Sequence, residues 1–323
     1  MMDRRKALQI LTTSLLSACA WPAAAQDRQG LIRIVVPYAA GGQTDAMARL
    51  LAASIETTLN TRVIVDNRPG AAALIGTKYV QLAPANGDTL LFHNSGLVSL
   101  PLLQKSATYD PLKDFEAVAM VGNGPCFLMV NESVPARTVP EFLAYARSVP
   151  QGIECANSGI NSAGHICAMM LEKMADLKLL HVPFKGSAEV TMALISGEVK
   201  MQVSVTTDSL NPYIKSGKIR ILGVATKEKT SLEPSVPTIG EFVPGYAIDV
   251  WFGILAPAHT PLAKREMLAA AIKVALADPV LKERFAALYM DVIPRGPTEF
   301  AAVIAESADS FKSIVRELQL TPQ

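Results

Sequence analysis

The chain has 323 residues, half of them hydrophobic and 18% charged, with a formal net charge of +1. That length exceeds one ordinary domain and suits two of about 100–200 residues each, with ample apolar material for both cores. The near-zero charge speaks against a nucleic-acid partner, because nucleic-acid surfaces are clearly basic.

Residues 1–25 read as an export signal rather than as part of the fold. Arg4, Arg5 and Lys6 form a basic start, Ala7 to Ala20 is largely apolar, and Ala23-Ala24-Ala25 offers a small-residue cleavage site before Gln26. The apolar run falls short of the roughly 20 residues a spanning helix needs. Leu16-Ser-Ala-Cys19 resembles a bacterial lipobox, and Asp3-Arg-Arg-Lys6 faintly resembles a twin-arginine signal. Two endings stay open: a lipid anchor on Cys19, or cleavage after Ala25. Either places the protein in the periplasm.

After the signal, Ile32 to Val36 is a β-branched run ended by Pro37. Gly41 and Gly42 supply positive-φ freedom. Thr44 or Asp45 can cap a helix that carries Met47, Leu50, Leu51, Ile55 and Leu59 at helical spacing. Strand, glycine turn and helix start together make an anion site. Arg62 to Asp66 and Thr89 to Phe92 read as further strands, with a helix over Leu74–Leu82 between them. His93-Asn-Ser-Gly96 then falls on the same sheet edge as Tyr38 to Asp45. Strands alternating with helices predict βα units and a mainly parallel sheet, with ligands beyond the carboxyl ends of the strands.

Val118 to Val121 and Phe127 to Val130 bracket Gly122-Asn-Gly-Pro125, where the chain is expected to cross into a second domain. That domain repeats the pattern, with strands at Ile153–Ala156, Leu179–Phe184, Lys200–Val205 and Ile219–Ala225. Residues 226–250 form the return path, Trp251 to Ala256 is a closing strand, and helices open at Pro261, Pro279 and Pro297 or Thr298. The expected layout is a signal at 1–25, a first domain of 26–124 plus 251–323, and a second of 125–250.

Asn157, Ser158, Gly159, Asn161 and Ser162 repeat the physics of the first loop in the second domain. Their hydroxyls, amides and N–H groups suit a carboxylate or hydroxyl ligand. Two such loops suggest a ligand clamped in an interdomain cleft. Asp45 is better placed as a helix cap than as a ligand to an anion, which it would repel. Asn94 and Ser95 join the candidates from the third strand, and Tyr38 and Phe184 could pack on a carbon skeleton.

Chemistry is poorly supported. His93, His165, His181 and His259 are scattered, so no metal site is expected. Ser162 is not in a nucleophile elbow, and Gly41-Gly42 lacks the spacing of a dinucleotide or P-loop fingerprint. No cofactor is expected. Cys126, Cys155 and Cys167 match no zinc or redox spacing; a Cys155–Cys167 bridge competes with the favoured reading of three buried thiols.

Val36-Pro-Tyr-Ala-Ala-Gly-Gly-Gln-Thr-Asp-Ala-Met-Ala-Arg49 resembles the signature of the Bug proteins, the substrate-binding components of tripartite tricarboxylate transporters. The likeness continues through Asp66-Asn-Arg-Pro-Gly70, Tyr109-Asp-Pro-Leu-Lys-Asp-Phe115, His181-Val-Pro-Phe-Lys-Gly186, Trp251-Phe-Gly253 and Ala256-Pro-Ala-His-Thr-Pro261. The resemblance implies a two-domain periplasmic binding protein of type II-like α/β fold that presents a small organic carboxylate to a cognate membrane permease, and not an enzyme. Carried over by position, the grip falls on Tyr38, Ala40, Gly41, Gly42, Gln43, Thr44 and Asp45 from one domain, and on Asn157 to Ser162 from the other. Many relatives place Phe-Asp where this chain has Ser204-Val205, which points to a less polar ligand; Thr206, Thr207 or Asp208 could compensate. The alternatives are a receptor that signals ligand occupancy to a membrane partner, and an exported hydrolase using Ser158 or Ser162.

Overall fold

A computed structural model describes residues 30–159, 162–184, 187–205 and 210–322. The export segment with Cys19 and the site candidates Asn161, Thr206 and Asp208 lie outside the described residues, as does Thr207. In chain order the elements are β1 (Leu31–Val36), α1 (Gln43–Leu59), β2 (Arg62–Asn67), α2 (Leu74–Gln81), β3 (Thr89–Asn94), α3 (Gly96–Leu103), β4 (Phe115–Asn123), β5 (Cys126–Asn131), α4 (Val139–Arg147), β6 (Ile153–Asn157), α5 (Ala163–Ala175) and β7 (Leu179–Pro183). There follow α6 (Ser187–Ser196), β8 (Met201–Val205), α7 (Asn211–Lys215), β9 (Ile219–Val224), β10 (Trp251–Pro257), α8 (Leu262–Ala277), α9 (Pro279–Ala287), β11 (Asp291–Arg295) and α10 (Pro297–Glu317).

They build two sheets, one of six strands in the order β11-β4-β10-β3-β1-β2 and one of five in the order β7-β6-β8-β5-β9. β1 shows why such strands form: Ile34, Val35 and Val36 point to alternating faces yet all are fully buried, as in a parallel sheet covered on both sides. α1 covers one face with Met47, Leu51 and Ile55, none more than 1% exposed. Burying each such side chain contributes on the order of 1.5–3 kcal/mol. The helix ends at Asn60 in the left-handed conformation, φ 47°.

The sheets are mixed rather than mainly parallel. β1, β2 and β3 pair in parallel, as do β6, β7 and β8, but β10, β11, β5 and β9 pair antiparallel. For β5 and β10 the cause is the double crossing between sheets. β4 ends at Asn123 and β5 begins at Cys126 in the other sheet; β9 ends at Val224 and the chain re-enters at Trp251. A strand entering across the gap starts at the edge where the others finish, so it runs against its neighbours. The two crossing segments lie side by side, with Gly124 N–H donating to the carbonyl of Val250 at 2.8 Å and Ala225 N–H to that of Cys126 at 2.8 Å.

Cys126, Cys155 and Cys167 are buried free thiols. Burial, with the Glu172 charge adding to it, pushes the Cys155 thiol up to about 12. Among the described residues, no helix is long and apolar enough to cross a membrane.

Candidate functional site

β1 and β3 are parallel neighbours, so Tyr38 and Asn94 emerge at one edge of the first sheet. β7, β6 and β8 are likewise adjacent and parallel. Asn157, Phe184 and Val205 therefore sit at the carboxyl ends of three neighbouring strands of the second sheet, where ligands of open α/β sheets bind.

In the first loop, Gly41 takes φ +83° and a Cβ there would meet nothing within 4 Å, whereas Gly42 has an ordinary φ of −78° and serves as the N-cap of α1. The expectation of positive φ at both glycines thus holds only at Gly41. Neither Thr44 nor Asp45 is the N-cap. Asp45 instead reaches back from the first turn: one carboxylate oxygen accepts Gly41 N–H at 2.9 Å and the Arg49 guanidinium at 3.0 Å, and the other accepts the Asn67 side-chain amide at 2.9 Å. Asn67 also donates to the carbonyl of Tyr38 and accepts from Arg49. Burial pushes the Asp45 carboxyl up, but these hydrogen bonds outweigh it and hold it below the usual range.

Asp45 is consequently turned inward, 3% exposed, and braces the loop. Ala40, Gly41 and Gly42 face solvent. The first-turn amides of α1, at Gln43 and Thr44, have no intrahelical acceptor. The Gln43 side chain is anchored elsewhere, donating to the carbonyl of Leu288 at 2.5 Å.

The third strand completes this half. Tyr38 donates its hydroxyl to Asn94 Oδ1 at 3.1 Å, and the same oxygen accepts Gly96 N–H at 2.9 Å. Burial pushes the Tyr38 phenol well above its usual range. His93 packs edge-on to Tyr38 with ring centroids 5.6 Å apart. Its Nδ1 lies 2.8 Å from the Asn94 amide nitrogen, and burial lowers its pKa to about 4, so the ring is neutral at pH 7. Ser95 is buried, and its N–H donates to the carbonyl of Trp251 at 3.0 Å.

The second loop is built similarly. Asn157, 3% exposed, accepts Gly159 N–H through Oδ1 at 3.1 Å, and Gly159 takes φ +125°. The Asn157 Nδ2 donor is buried with no protein acceptor among the described residues. Its carbonyl accepts the N–H of Phe184 at 2.9 Å, tying the ends of β6 and β7 together. Ser162 caps α5, its hydroxyl accepting His165 N–H at 3.3 Å. Gly164 lets that helix start close to β8, because a Cβ there would come within 2.6 Å of the carbonyl of Val203. Ser158 and Val205 are half-buried at the same edge. The His165 ring packs edge-on to His181, at 4.9 Å between centroids, and His181 meets Glu172 at 2.9 Å.

Sequence reasoning missed four contributors. Arg49 and Asn67 hold Asp45; their signals were the i, i+4 spacing from Asp45 and the Asp66-Asn-Arg-Pro-Gly70 run. Leu288 anchors Gln43, and its neighbour Tyr289 donates to Asn211 Oδ1 while packing edge-on to Phe127 at 6.1 Å. No local pattern marks these last two.

Residues 47–320 match the family described as "Tripartite tricarboxylate transporter family receptor". A protein from Pseudomonas sp. (strain P51), named for the tcbD-tcbE intergenic region, is 31% identical over 289 residues, covering 88% of this chain and 85% of that one. Among solved structures, the periplasmic binding protein BugD superposes with a TM-score of 0.76 at 29% identity, covering 91% of this chain and 99% of that chain. The R. palustris protein Rpa4515 with adipate reaches 0.79 at 28% identity, covering 94% and 100%. The fold is thus that of the two-domain periplasmic binding proteins.

Proposed function

The chain belongs to the tripartite tricarboxylate transporter receptor family, and from that membership we propose that it captures a small organic carboxylate between its two sheets and delivers it to a membrane permease. Family and relatives are periplasmic binding proteins, which gives the chain a periplasmic solute-binding role. The finer reading divides it into lobes of 26–124 plus 251–323 and of 125–250, with the cleft at the strand ends.

One observation carries the ligand class. The only acidic side chain of the first loop, Asp45, is fully engaged inside the loop, so that loop offers donors outward: backbone N–H groups at a helix start, where anions are favoured. From the opposite lobe the buried Asn157 Nδ2 adds a donor with no acceptor among the described residues. Tyr38, Ala40 to Thr44, Asn94, Ser95, Asn157, Ser158, Ser162, Phe184 and Val205, with Asn161, Thr206 and Asp208, make the proposed lining. Arg49 is committed to Asp45, so the donors among the described lining residues are neutral. Adipate in the R. palustris relative supports a dicarboxylate.

The test is calorimetry of verified ligand-free protein against mono-, di- and tricarboxylates, adipate included. Saturable binding of at least one, strongest among dicarboxylates, is expected; no heat from any would overturn the reading. Co-purification with a membrane partner tests delivery.

A further inference from the structure

A cavity of about 390 Å³ opens further along the same edge of the first sheet, lined by β4, β10, β11, α10 and the segments around 226–230 and 247–251. It lies on the other side of the β4–β10 pair from Tyr38 and Asn94, since the sheet runs β11-β4-β10-β3-β1-β2. The volume falls within the range of small-molecule pockets.

Its polar interior has a specific composition. Trp251 and Asn123 are directly paired across β10 and β4, so their side chains leave one face about 5 Å apart. Both line the cavity. The Trp251 indole N–H and Asn123 Oδ1 are buried, and neither has a partner among the described residues; Trp251 as a whole is 1% exposed. An unpaired buried polar atom costs about 1–3 kcal/mol, so two side by side, one donor and one acceptor, mark a place where something else completes the pairing. The walls around them are apolar, supplied by Met120, Ile293, Phe311 and Ile314.

The rim selects against charge. Lys227, Lys229 and Arg295 stand among Glu228, Asp249 and Glu306, so an ion of either sign meets a like charge. Asp291 is already held by Thr230 and Ser231, whose groups lie 2.8–3.2 Å from its carboxylate.

We propose that this cavity is a second small-molecule site, for an uncharged ligand with a carboxamide or hydroxyl head on a short apolar body. The head accepts from the Trp251 indole and donates to Asn123 Oδ1, while the body packs on the wall residues. This site stands apart from the carboxylate reading, for it shares none of the loop residues.

The sequence holds two tryptophans, Trp21 and Trp251, so the full chain carrying Trp21→Phe has Trp251 as its only indole. Isobutyramide titrated into that protein is expected to give a saturable shift of indole emission. Ser307→Phe, which fills the cavity from α10, should abolish the shift. Asn123→Leu, which removes the acceptor, should weaken binding roughly tenfold. No saturable shift in the parent, as expected if a lone water completes the pair, overturns the proposal. So does a shift of unchanged midpoint in either folded variant.

Discussion

The side-chain amide of Gln43 donates to the carbonyl of Leu288 at 2.5 Å, joining the loop after β1 to the end of α9. The next residue, Tyr289, sends its hydroxyl to Asn211 and its ring against Phe127, both among the elements of the second sheet. Two consecutive residues thus connect the loop at β1 to the opposite lobe by a route that does not use the crossing strands.

That connection predicts coupling. Tyr289→Phe keeps the ring contact and removes one hydrogen bond, so stability should fall by about 1 kcal/mol. Gln43→Ala frees the loop from its anchor. If the two act as one link, their effects on carboxylate affinity will be non-additive by about 0.5 kcal/mol or more in a double-mutant cycle read by calorimetry. Additive effects would show that the two contacts are independent.

Asp45 sets a second expectation. Its carboxyl is held below the ordinary value of 3.8, so its contribution to stability is complete above that value and is lost as pH falls through the lower folded value. Asp45→Asn should destabilise the protein by about 1–2 kcal/mol at pH 7, with affinity reduced because Gly41 loses its brace. The difference in melting temperature between wild type and variant should shrink as pH drops below 3.8. A constant difference would remove the carboxylate from the account.

His93 acts in a separate window. Burial lowers its pKa from the usual 6.5 to about 4. Between those values the unfolded chain binds the extra proton and the folded chain does not, so stability rises with pH from 4 to 6.5 and is lost on acidification. One such group steepens the curve by at most about 1.4 kcal/mol per pH unit. His165, lowered to about 4 by burial and by the neighbouring His181, supplies a second step. His93→Gln should flatten the curve by one of these, and His93→Gln with His165→Gln by both. Denaturant melts across pH 4 to 7 read the slopes directly.

What could be read from the sequence depended on the range of the interaction. β1, α1 and the strand-end loops were legible because β-branched runs, glycine turns and apolar spacing are local signals. α3 was not, because it is apolar on every side and carries Pro101 inside it, so it shows no periodicity. β11 was missed because Pro294 and its exposed end obscure a short edge strand. The reversal of β5 and β10 follows from where the chain crosses, which composition does not encode. In the loops the residue types were legible but their roles were not. Asp45 faces inward because Arg49 meets it one turn along α1 and Asn67 arrives from β2, and Gln43 is drawn to Leu288, 245 residues away.

The two loop glycines separate conformation from space. Gly41→Val meets no neighbour, but it forces a β-branched residue to φ +83°, at a cost of about 1–3 kcal/mol that the loop can escape by refolding away from its ligand geometry. Gly42→Val keeps an ordinary φ and would bring a Cβ to 3.4 Å from the carbonyl of Ala39, a tolerable contact. Carboxylate affinity should therefore fall at least tenfold in the first variant and much less in the second, with both folded by circular dichroism. Equal losses would mean that the φ at Gly41 is not what shapes the loop.

Asn157 allows the sharpest test of the anion reading, because its two polar atoms do different things. Oδ1 accepts Gly159 N–H and shapes the turn; Nδ2 is the buried donor without a partner among the described residues. Asn157→Asp preserves the acceptor and the volume, so the turn and the fold should persist. It replaces the donor with a second acceptor and adds a negative charge in a buried place. A carboxylate ligand would then meet repulsion where it had a hydrogen bond, and affinity should drop by about a hundredfold, since losing one partner of a buried charged hydrogen bond costs about 2–5 kcal/mol. Lowering the pH to protonate the new carboxyl should restore part of the binding, a response a merely structural lesion would not give. Undiminished affinity at pH 7, with the melting temperature unchanged, would place the carboxylate away from Asn157 altogether.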